Sequence, residues 1–191
     1  MYLTKIVIPN SLAAQLHFFD PYQWHKALWK CFSSAKKRPF IFRVDQDKNQ
    51  ITFLMQSLIQ PLVQPWGLWQ TKIVPKSFFE KDKYLFSLRA YPAFKKSIYK
   101  EDGTRERQGI RVPHMEPEKW LCEKAEENGF TIEGVSIIQR YNQTASKGSH
   151  VAVDFHGVLT VKNKELFLTT ITNGVGPSKA YGMGLFLLKP Y

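Results

Sequence analysis

Residues 116–161, EPEKWLCEKAEENGFTIEGVSIIQRYNQTASKGSHVAVDFHGVLTV, decide how this chain folds. Residues 116–128 begin with glutamates and are followed by a glycine, which is typical of an α-helix because acidic side chains favour its amino end and glycine its carboxyl end. Residues 131–141 and 150–161 favour strands, and in the second of these apolar side chains occupy alternate positions. The stretch therefore predicts a helix followed by two strands.

The segments on either side of this stretch complete the second half of the chain. Residues 93–111 are rich in Lys and Arg and predict an exposed hairpin or loop. Residues 163–172 predict a helix, and residues 185–188 predict a final strand. The second half is thus expected to follow the order β-α-β-β-α-β, which is that of a ferredoxin-like domain.

The first half is expected to have the same order with one helix missing. Asp20 is a good N-cap and Pro21 a good first helical residue, so the helix between the first two strands has a defined start. The predicted elements are a strand at 2–8, a helix from Pro21 to Phe32, a hairpin of strands at 40–44 and 51–56, an irregular segment at 58–82 and a strand at 84–90.

Together the halves predict an α+β protein of two tandem ferredoxin-like (RRM-like) βαββαβ domains with antiparallel sheets. The expected N-terminal domain spans residues 1–92 and carries the helix that Asp20 opens. The expected C-terminal domain spans residues 93–191 and carries the basic hairpin and a glycine-rich loop. This fold serves many functions, so the function has to be argued from particular side chains.

Charge and hydrophobicity restrict the class of protein. The chain has 191 residues, 43% of them hydrophobic, and a mean hydropathy of −0.31. These values argue against a disordered or membrane-spanning chain, and the start of the sequence does not have the pattern of a signal peptide, so we expect a cytoplasmic location. The net charge is +11, and residues 1–100 hold 16 basic and 5 acidic side chains against 11 and 11 in residues 101–191. The expected partner is an anion, and nucleic acid is the commonest one.

The helix that Asp20 opens carries a candidate proton-transfer pair. Tyr22 and His25 are three residues apart and share one helix face, and Trp29 joins them four residues further on. His25 is expected at the edge of the apolar stripe, half-exposed and able to titrate near neutrality, with a phenol beside it that can orient a group or share a proton. An ordinary histidine at the core boundary explains the same spacing. The stripe itself consists of Trp24, Ala27, Leu28, Cys31 and Ala35.

A glycine-rich run near the carboxyl end, GVGPSKAYGMG at residues 174–184, is a candidate phosphate site. We expect its glycines to leave backbone N–H groups uncovered, with a lysine charge between them. Its spacing is neither that of a Walker loop nor GxGxxG, which disfavours nucleotide hydrolysis. A structural turn ahead of an edge strand is an equally good interpretation. The residues concerned are Gly174, Gly176, Lys179, Gly182 and Gly184.

Two basic stretches, residues 36–38 and 89–111, alternate with aromatic side chains, a combination that suits phosphates and bases. RNA fits better than duplex DNA, because no predicted helix carries the Arg, Asn and Gln set that reads a major groove. A solvated surface is the other interpretation of such charge runs. The candidate RNA-binding side chains are Lys36, Lys37, Arg38, Arg89, Lys95, Lys96, Lys100, Arg105, Arg107 and Arg111.

We expect no metal site. Cys31 and Cys122 can form at most one disulfide, and neither has a close Cys or His partner. His150 and His156 share a strand face, but together with Asp154 they span too far along the strand to close on one ion.

Several motifs, taken in order, resemble the CRISPR-associated CasE endoribonucleases, which process CRISPR precursor RNA in the type I-E Cascade system. The resemblance runs nearly end to end. Tyr91 departs from it, because many relatives have Asn there. The motifs are YxxHxxLWxxF at 22–32, FIFR at 40–43, LRAxP at 88–92, WLxxKA at 120–125 with Gly129 and Phe130, VxFxGxLxV at 153–161, and GVGxxKAYGxGL at 174–185.

The resemblance implies two ferredoxin-like domains that bind the hairpin of a repeat RNA and cut at its 3′ base without a metal ion. The ribose 2′-OH attacks the adjacent phosphate and leaves a 2′,3′-cyclic phosphate and a 5′-OH. By position in the motif, His25 corresponds to the catalytic acid or base and Tyr22 to its partner. A lysine is expected to stabilise the charge on the phosphorane, and Lys147 is the candidate.

The resemblance also implies partners. These are the CRISPR repeat RNA hairpin, which stays bound after cleavage, and the other Cascade subunits. We expect a monomer when the chain is isolated, no membrane and no small-molecule cofactor. Two alternatives use the same fold: a non-catalytic RNA-binding module, and an assembly subunit that docks through the neutral second half.

Overall fold

The computed structural model describes residues 1–18, 20–99, 101, 104, 110–146 and 148–191. Within these ranges the strands form two four-stranded sheets and one short two-stranded sheet. Each pair of neighbouring strands is antiparallel. None of the helices in the described part of the chain is both long enough and apolar enough to cross a membrane.

The first sheet and its helices are built from residues 2–73. Thr4, Ile6 and Ile8 are fully buried on the first strand and pack with the helices over one face of the sheet. The elements are β1 (Tyr2–Pro9), α1 (Asn10–Gln15), α2 (Pro21–Trp29) with a 3₁₀ turn at Lys30–Phe32, β2 (Phe40–Gln46), β3 (Gln50–Ser57) and β4 (Leu68–Ile73). The strand order is β2-β3-β1-β4.

The second sheet is built from residues 83–190. Its core gathers the aromatic side chains of Tyr84, Phe130, Phe155 and Phe167. The elements are β5 (Lys83–Ala90), β6 (Ala93–Lys96), β7 (Ile110–Pro113), α3 (Pro117–Glu127), β8 (Phe130–Ala145), β9 (Gly148–Val161), α4 (Lys164–Asn173), a 3₁₀ turn at Lys179–Tyr181 and β10 (Phe186–Pro190). The order is β10-β5-β9-β8, and β6 pairs with β7 as the basic hairpin that the sequence predicts.

Both strand orders are those of a ferredoxin-like sheet, in which the first strand lies between the third and the fourth. The prediction of two tandem ferredoxin-like units in an α+β protein is therefore confirmed. The first unit lacks the second helix: the chain reaches β4 from β3 through residues 58–67, which hold neither helix nor strand.

Two strand assignments made from the sequence are wrong. Residues 58–82 are not irregular throughout, because they contain β4 and a 3₁₀ turn at Lys76–Glu80. The strand predicted at 84–90 does not close the first unit, because β5 pairs with β9 and β10 of the second sheet. The change from one sheet to the other thus falls between Ile73 and Lys83, ahead of the boundary expected at residue 92. The division into two domains stays a prediction with its boundary moved accordingly.

A buried ionic network joins the two sheets. The Arg89 guanidinium donates to both carboxylate oxygens of Asp154, over 2.7 and 2.8 Å, and to the carbonyl oxygen of Val44 over 2.6 Å. Arg43 donates to Asp45 and, across the sheets, to the hydroxyl of Ser87. These bonds hold β2 of the first sheet against β5 and β9 of the second, directly beside the candidate site.

Candidate functional site

The start of α2 is fixed by Asp20, as the sequence predicts. Its carboxylate accepts the backbone N–H of Tyr22 over 2.9 Å, and Pro21 occupies the first helical turn. The same carboxylate also accepts the backbone N–H of Ser146 over 3.3 Å. This second bond places Ser146, directly after β8, against the start of the helix.

His25 lies at the edge of the apolar stripe, half-buried, while Trp24, Ala27, Leu28 and Cys31 of that stripe are buried. The indole Nε1 of Trp29 donates to His25 Nε2 over 3.0 Å. The imidazole Nδ1 is buried and has no hydrogen-bond partner among the residues that the structure describes.

Burial lowers the pKa of His25 to about 4, and the nearby positive charge of Arg38 adds to the effect. The expectation that this imidazole titrates near neutrality is therefore wrong. A surface histidine would keep its usual value, but His25 loses hydration and faces a cation instead of an anion. At pH 7 the side chain is a neutral base.

This low pKa predicts how stability depends on pH. Unfolding restores the usual His pKa of 6.5, so the unfolded chain binds a proton between about pH 4 and 6.5 that the folded chain does not. His25 therefore contributes a stability that is complete above pH 6.5 and is lost as the pH falls towards 4. Urea unfolding of wild type and His25→Gln from pH 7.5 to 4.5 measures it. As the pH falls, the free energy of unfolding is expected to decrease more in wild type than in His25→Gln. If the free energy of unfolding depended on pH equally in both proteins, the low pKa of His25 would be contradicted.

Tyr22 lies one turn before His25 and faces the glycine-rich loop. The centroid of the Tyr22 ring is 6.3 Å from that of the Tyr181 ring, and the Lys26 ammonium lies 4.8 Å from the centroid of the Tyr22 ring. The ring of Tyr181 is in turn 4.4 Å from that of His150, whose Nδ1 is 3.0 Å from the hydroxyl of Ser178. The loop is therefore held between α2 and the start of β9.

The glycines of the loop have a packing role. A Cβ on Gly174 would lie 1.8 Å from Ile41 Cδ1, and the backbone there has φ +73°, which favours glycine. The N–H of Gly174 donates to Thr170 and that of Gly184 donates to the Arg89 carbonyl. The expectation that these two amides are uncovered is therefore wrong. Gly176 and Gly182 also have positive φ, of 74° and 81°.

Arg38 lies close to His25, and Lys179 lies close to Arg38. Lys179 and Arg38 are both half-buried, and burial lowers the pKa of each side chain. The charge of Arg38 lowers the pKa of Lys179 further. Positive charges that depress the pKa of their neighbours form a site that an anion would stabilise.

A cleft of about 660 Å³ continues from this cluster between the basic hairpin, α3 and the loop. It contains several of the predicted binding residues, namely Lys95, Arg111, Gly174, Gly176 and Lys179, together with Lys124 and Trp120. The indole nitrogen of Trp120 is buried without an acceptor in the described part of the chain. The cleft therefore presents cations.

The other predicted binding residues are distributed differently. Lys36, Lys37 and Lys96 are exposed. Arg89 is taken up by the ionic network, so its placement gives it a structural role and does not support RNA binding. Lys100, Arg105, Arg107 and Lys147 lie outside the described residues.

Sequence reasoning missed the partners of the histidines. His150, Ser178 and Tyr181 come together only in the fold, and Tyr91 packs edge-on to His150 at 5.6 Å. The four-residue spacing from His25 to Trp29 was the one signal for a contact of the imidazole. Within the described ranges no group of three or more His, Cys, Asp or Glu side chains could hold a metal ion.

Fold and site together define a tandem ferredoxin-like protein with a half-buried histidine close to Arg38 and a cationic cleft lined by the glycine-rich loop. A family model described as "CRISPR associated protein" matches residues 1–190. The chain belongs to this family, among its CasE members.

Two similar proteins and one solved structure illustrate the relationship. The CRISPR-associated endoribonuclease Cse3 of Thermus thermophilus is 31% identical over 219 residues, and the CRISPR system Cascade subunit CasE of Escherichia coli K12 is 29% identical over 206, each match covering 100% of both chains. A structure of Thermus thermophilus Cse3 bound to an RNA representing a pre-cleavage complex superposes with a TM-score of 0.80 at 28% identity, covering 99% of this chain and 98% of the other.

Proposed function

We propose that this protein is a metal-independent endoribonuclease that cleaves CRISPR precursor RNA at the 3′ base of the repeat hairpin. The observation that carries the proposal is the half-buried imidazole of His25, which lies close enough to the Arg38 guanidinium for that charge to lower its pKa, with Lys179 next to Arg38. A neutral base and a place for a phosphate are what RNA cleavage through the 2′-OH requires. The relatives named Cse3 and CasE support the same substrate class.

The chemistry follows from these groups. His25 takes the proton of the ribose 2′-OH, whose oxygen then forms a bond to the adjacent phosphorus. The bond from phosphorus to the 5′-oxygen breaks, that oxygen receives a proton from solvent, and His25 returns to solvent the proton that it took. The products are a 2′,3′-cyclic phosphate and a 5′-OH. The cations stabilise the charge of the phosphorane, and Tyr22 assists on the same face of α2.

Lys147 remains our candidate for a further lysine at the phosphorane. Its neighbour Ser146 is bonded to Asp20 at the start of α2, which supports placing the turn between β8 and β9 near His25. The lysine stays a proposal from the sequence.

The remaining RNA follows the cationic surface. We propose that the cleft beside Lys95, Arg111 and Lys179 and the exposed Lys36, Lys37 and Lys96 bind the phosphates of the hairpin. Product retention, assembly into Cascade, monomeric behaviour when isolated and a cytoplasmic location complete the proposal. The name of the Escherichia coli relative, a Cascade subunit, supports the assembly.

Cleavage of a labelled repeat hairpin in EDTA tests the proposal. We expect a single cut that leaves a 2′,3′-cyclic phosphate, at a rate that added Mg²⁺ does not raise. A matched RNA with one 2′-deoxy nucleotide before the scissile phosphate should bind equally well and stay intact, because its nucleophile is missing.

Two outcomes would contradict this function. A requirement for Mg²⁺, or cleavage of the 2′-deoxy RNA, would rule out attack by the 2′-OH. Binding of both RNAs without any cleavage would instead favour a non-catalytic RNA-binding subunit.

A further inference from the structure

The hydrogen bond between Trp29 and His25 defines the state of the imidazole. The indole Nε1–H can only donate, so His25 Nε2, 3.0 Å away, must accept with a free lone pair. A neutral imidazole with its lone pair on Nε2 carries its proton on Nδ1. The protonation state of both ring nitrogens thus follows from one contact.

We infer that Trp29 is a positioning residue for His25, whose indole N–H holds the imidazole as the neutral Nδ1–H tautomer. The consequence for cleavage rests on the proposed function, whereas the tautomer is a property of the free protein. Trp29 neither takes nor gives a proton in the cleavage step and acts through its bond to His25.

Buried rings fix this pair. Trp29 packs edge-on to Phe40 with centroids 5.7 Å apart, and His25 is tilted over the same ring at 5.8 Å. Phe42 stacks on His25 at 6.3 Å and 19°, and Phe32 stacks on Phe40 at 5.1 Å. Because β2 and the turn after α2 supply these phenylalanines, the imidazole and the indole are held in contact in the free protein.

The hydrogen bond and the surrounding charges act in the same direction. An imidazolium has no lone pair to offer, so the bond to Trp29 exists only with neutral His25 and lowers its pKa. Arg38, from the segment before β2, lowers it as well. Among the described residues, the other ionisable groups on the packed elements are Tyr22 and Lys26 of α2, Lys30 and Cys31 of the turn after it, Arg43 and Asp45 of β2, and Lys179 and Tyr181 of the glycine-rich loop.

The tautomer specifies which nitrogen reacts. Nδ1 already carries a proton, so the proton of the 2′-OH can enter only at Nε2. The indole N–H has to leave Nε2 as that proton arrives, which the partly exposed Trp29 can do by turning its ring away, and the resulting imidazolium carries one proton on each nitrogen. Trp29 therefore keeps the base unprotonated until the hydroxyl replaces the indole at Nε2.

NMR of the ¹⁵N-histidine-labelled protein tests the inference without RNA. In wild type, His25 Nδ1 is expected to show the shift of a protonated nitrogen and Nε2 that of an unprotonated one. In Trp29→Phe, which keeps an aromatic ring but lacks the donor, we expect a mixture of tautomers and a titration midpoint higher by about one pH unit. Trp69→Phe is the matched control. Trp69 lies on β4 and its indole N–H donates to the Trp66 carbonyl, so its removal should leave His25 unchanged.

An Nε2–H tautomer in wild type would overturn the inference even if the variant failed to fold. So would an unchanged tautomer and midpoint in folded Trp29→Phe. With repeat RNA, the acid limb of the cleavage rate should move up by the same amount as the midpoint. If the NMR result holds and wild type does not cleave, the positioning role stands and the proposed nuclease function fails.

Discussion

His25→Ala is expected to lower the rate of repeat-RNA cleavage by roughly 10²- to 10⁴-fold while RNA affinity stays close to that of wild type. The rate falls because the variant has no base for the 2′-OH. Affinity is kept because His25 is neutral at pH 7, so its removal takes no positive charge from the surface that binds phosphates. Single-turnover cleavage and equilibrium binding, measured on the same labelled hairpin, separate the two quantities.

His156→Ala is the matched control, since His156 is an exposed histidine on β9 with no part in the site. It should cleave at the wild-type rate. If both variants cleaved equally well, His25 would be an ordinary histidine at the core boundary. If His25→Ala lost binding and cleavage together, its role would be structural.

Much of the fold could be predicted, because many elements carry local signals. The N-cap at Asp20, the acidic start of α3 and the alternation along β9 depend on side chains close together in the sequence. β4 lacked such a signal, because almost all of its side chains are exposed and no apolar alternation marks it. β5 was recognised as a strand but assigned to the wrong sheet, since strand pairing is a long-range property.

The candidate site divides in the same way. The three-residue spacing of Tyr22 and His25 and the glycine-rich run were visible in the sequence. The pKa of His25 was not, because it depends on burial beneath β2 and on Arg38, thirteen residues away in the chain. Nor was the role of Arg89, whose partner Asp154 is 65 residues distant. Local patterns therefore indicate the reactive groups, whereas their protonation and pairing depend on the tertiary fold.

The pairing of Arg89 with Asp154 predicts the largest loss of stability in the protein. In Asp154→Ala the buried Arg89 loses its bidentate partner and keeps the more exposed Asp45, 3.1 Å away, and Arg43, 3.9 Å from the Asp154 carboxylate, loses a counter-charge. Breaking a buried ion pair from one side costs about 3–5 kcal/mol, because the remaining charge stays desolvated. Urea unfolding followed by tryptophan fluorescence measures the free energy of unfolding.

Two further variants test whether the loss of stability comes from the buried charge or from any substitution in this part of the sheet. Lys83→Met breaks the exposed pair with Glu133 at the other end of β5 and should cost no more than about 1 kcal/mol. The double variant Arg89→Met with Asp154→Leu removes both charges and fills their space with apolar atoms, so it should recover part of the loss of Asp154→Ala. The contradicting outcome is a double variant that is less stable than Asp154→Ala by the full cost of a second substitution. In that case the ion pair itself would stabilise the contact between the sheets. The loss of stability in Asp154→Ala would then not come from the charge left behind on Arg89.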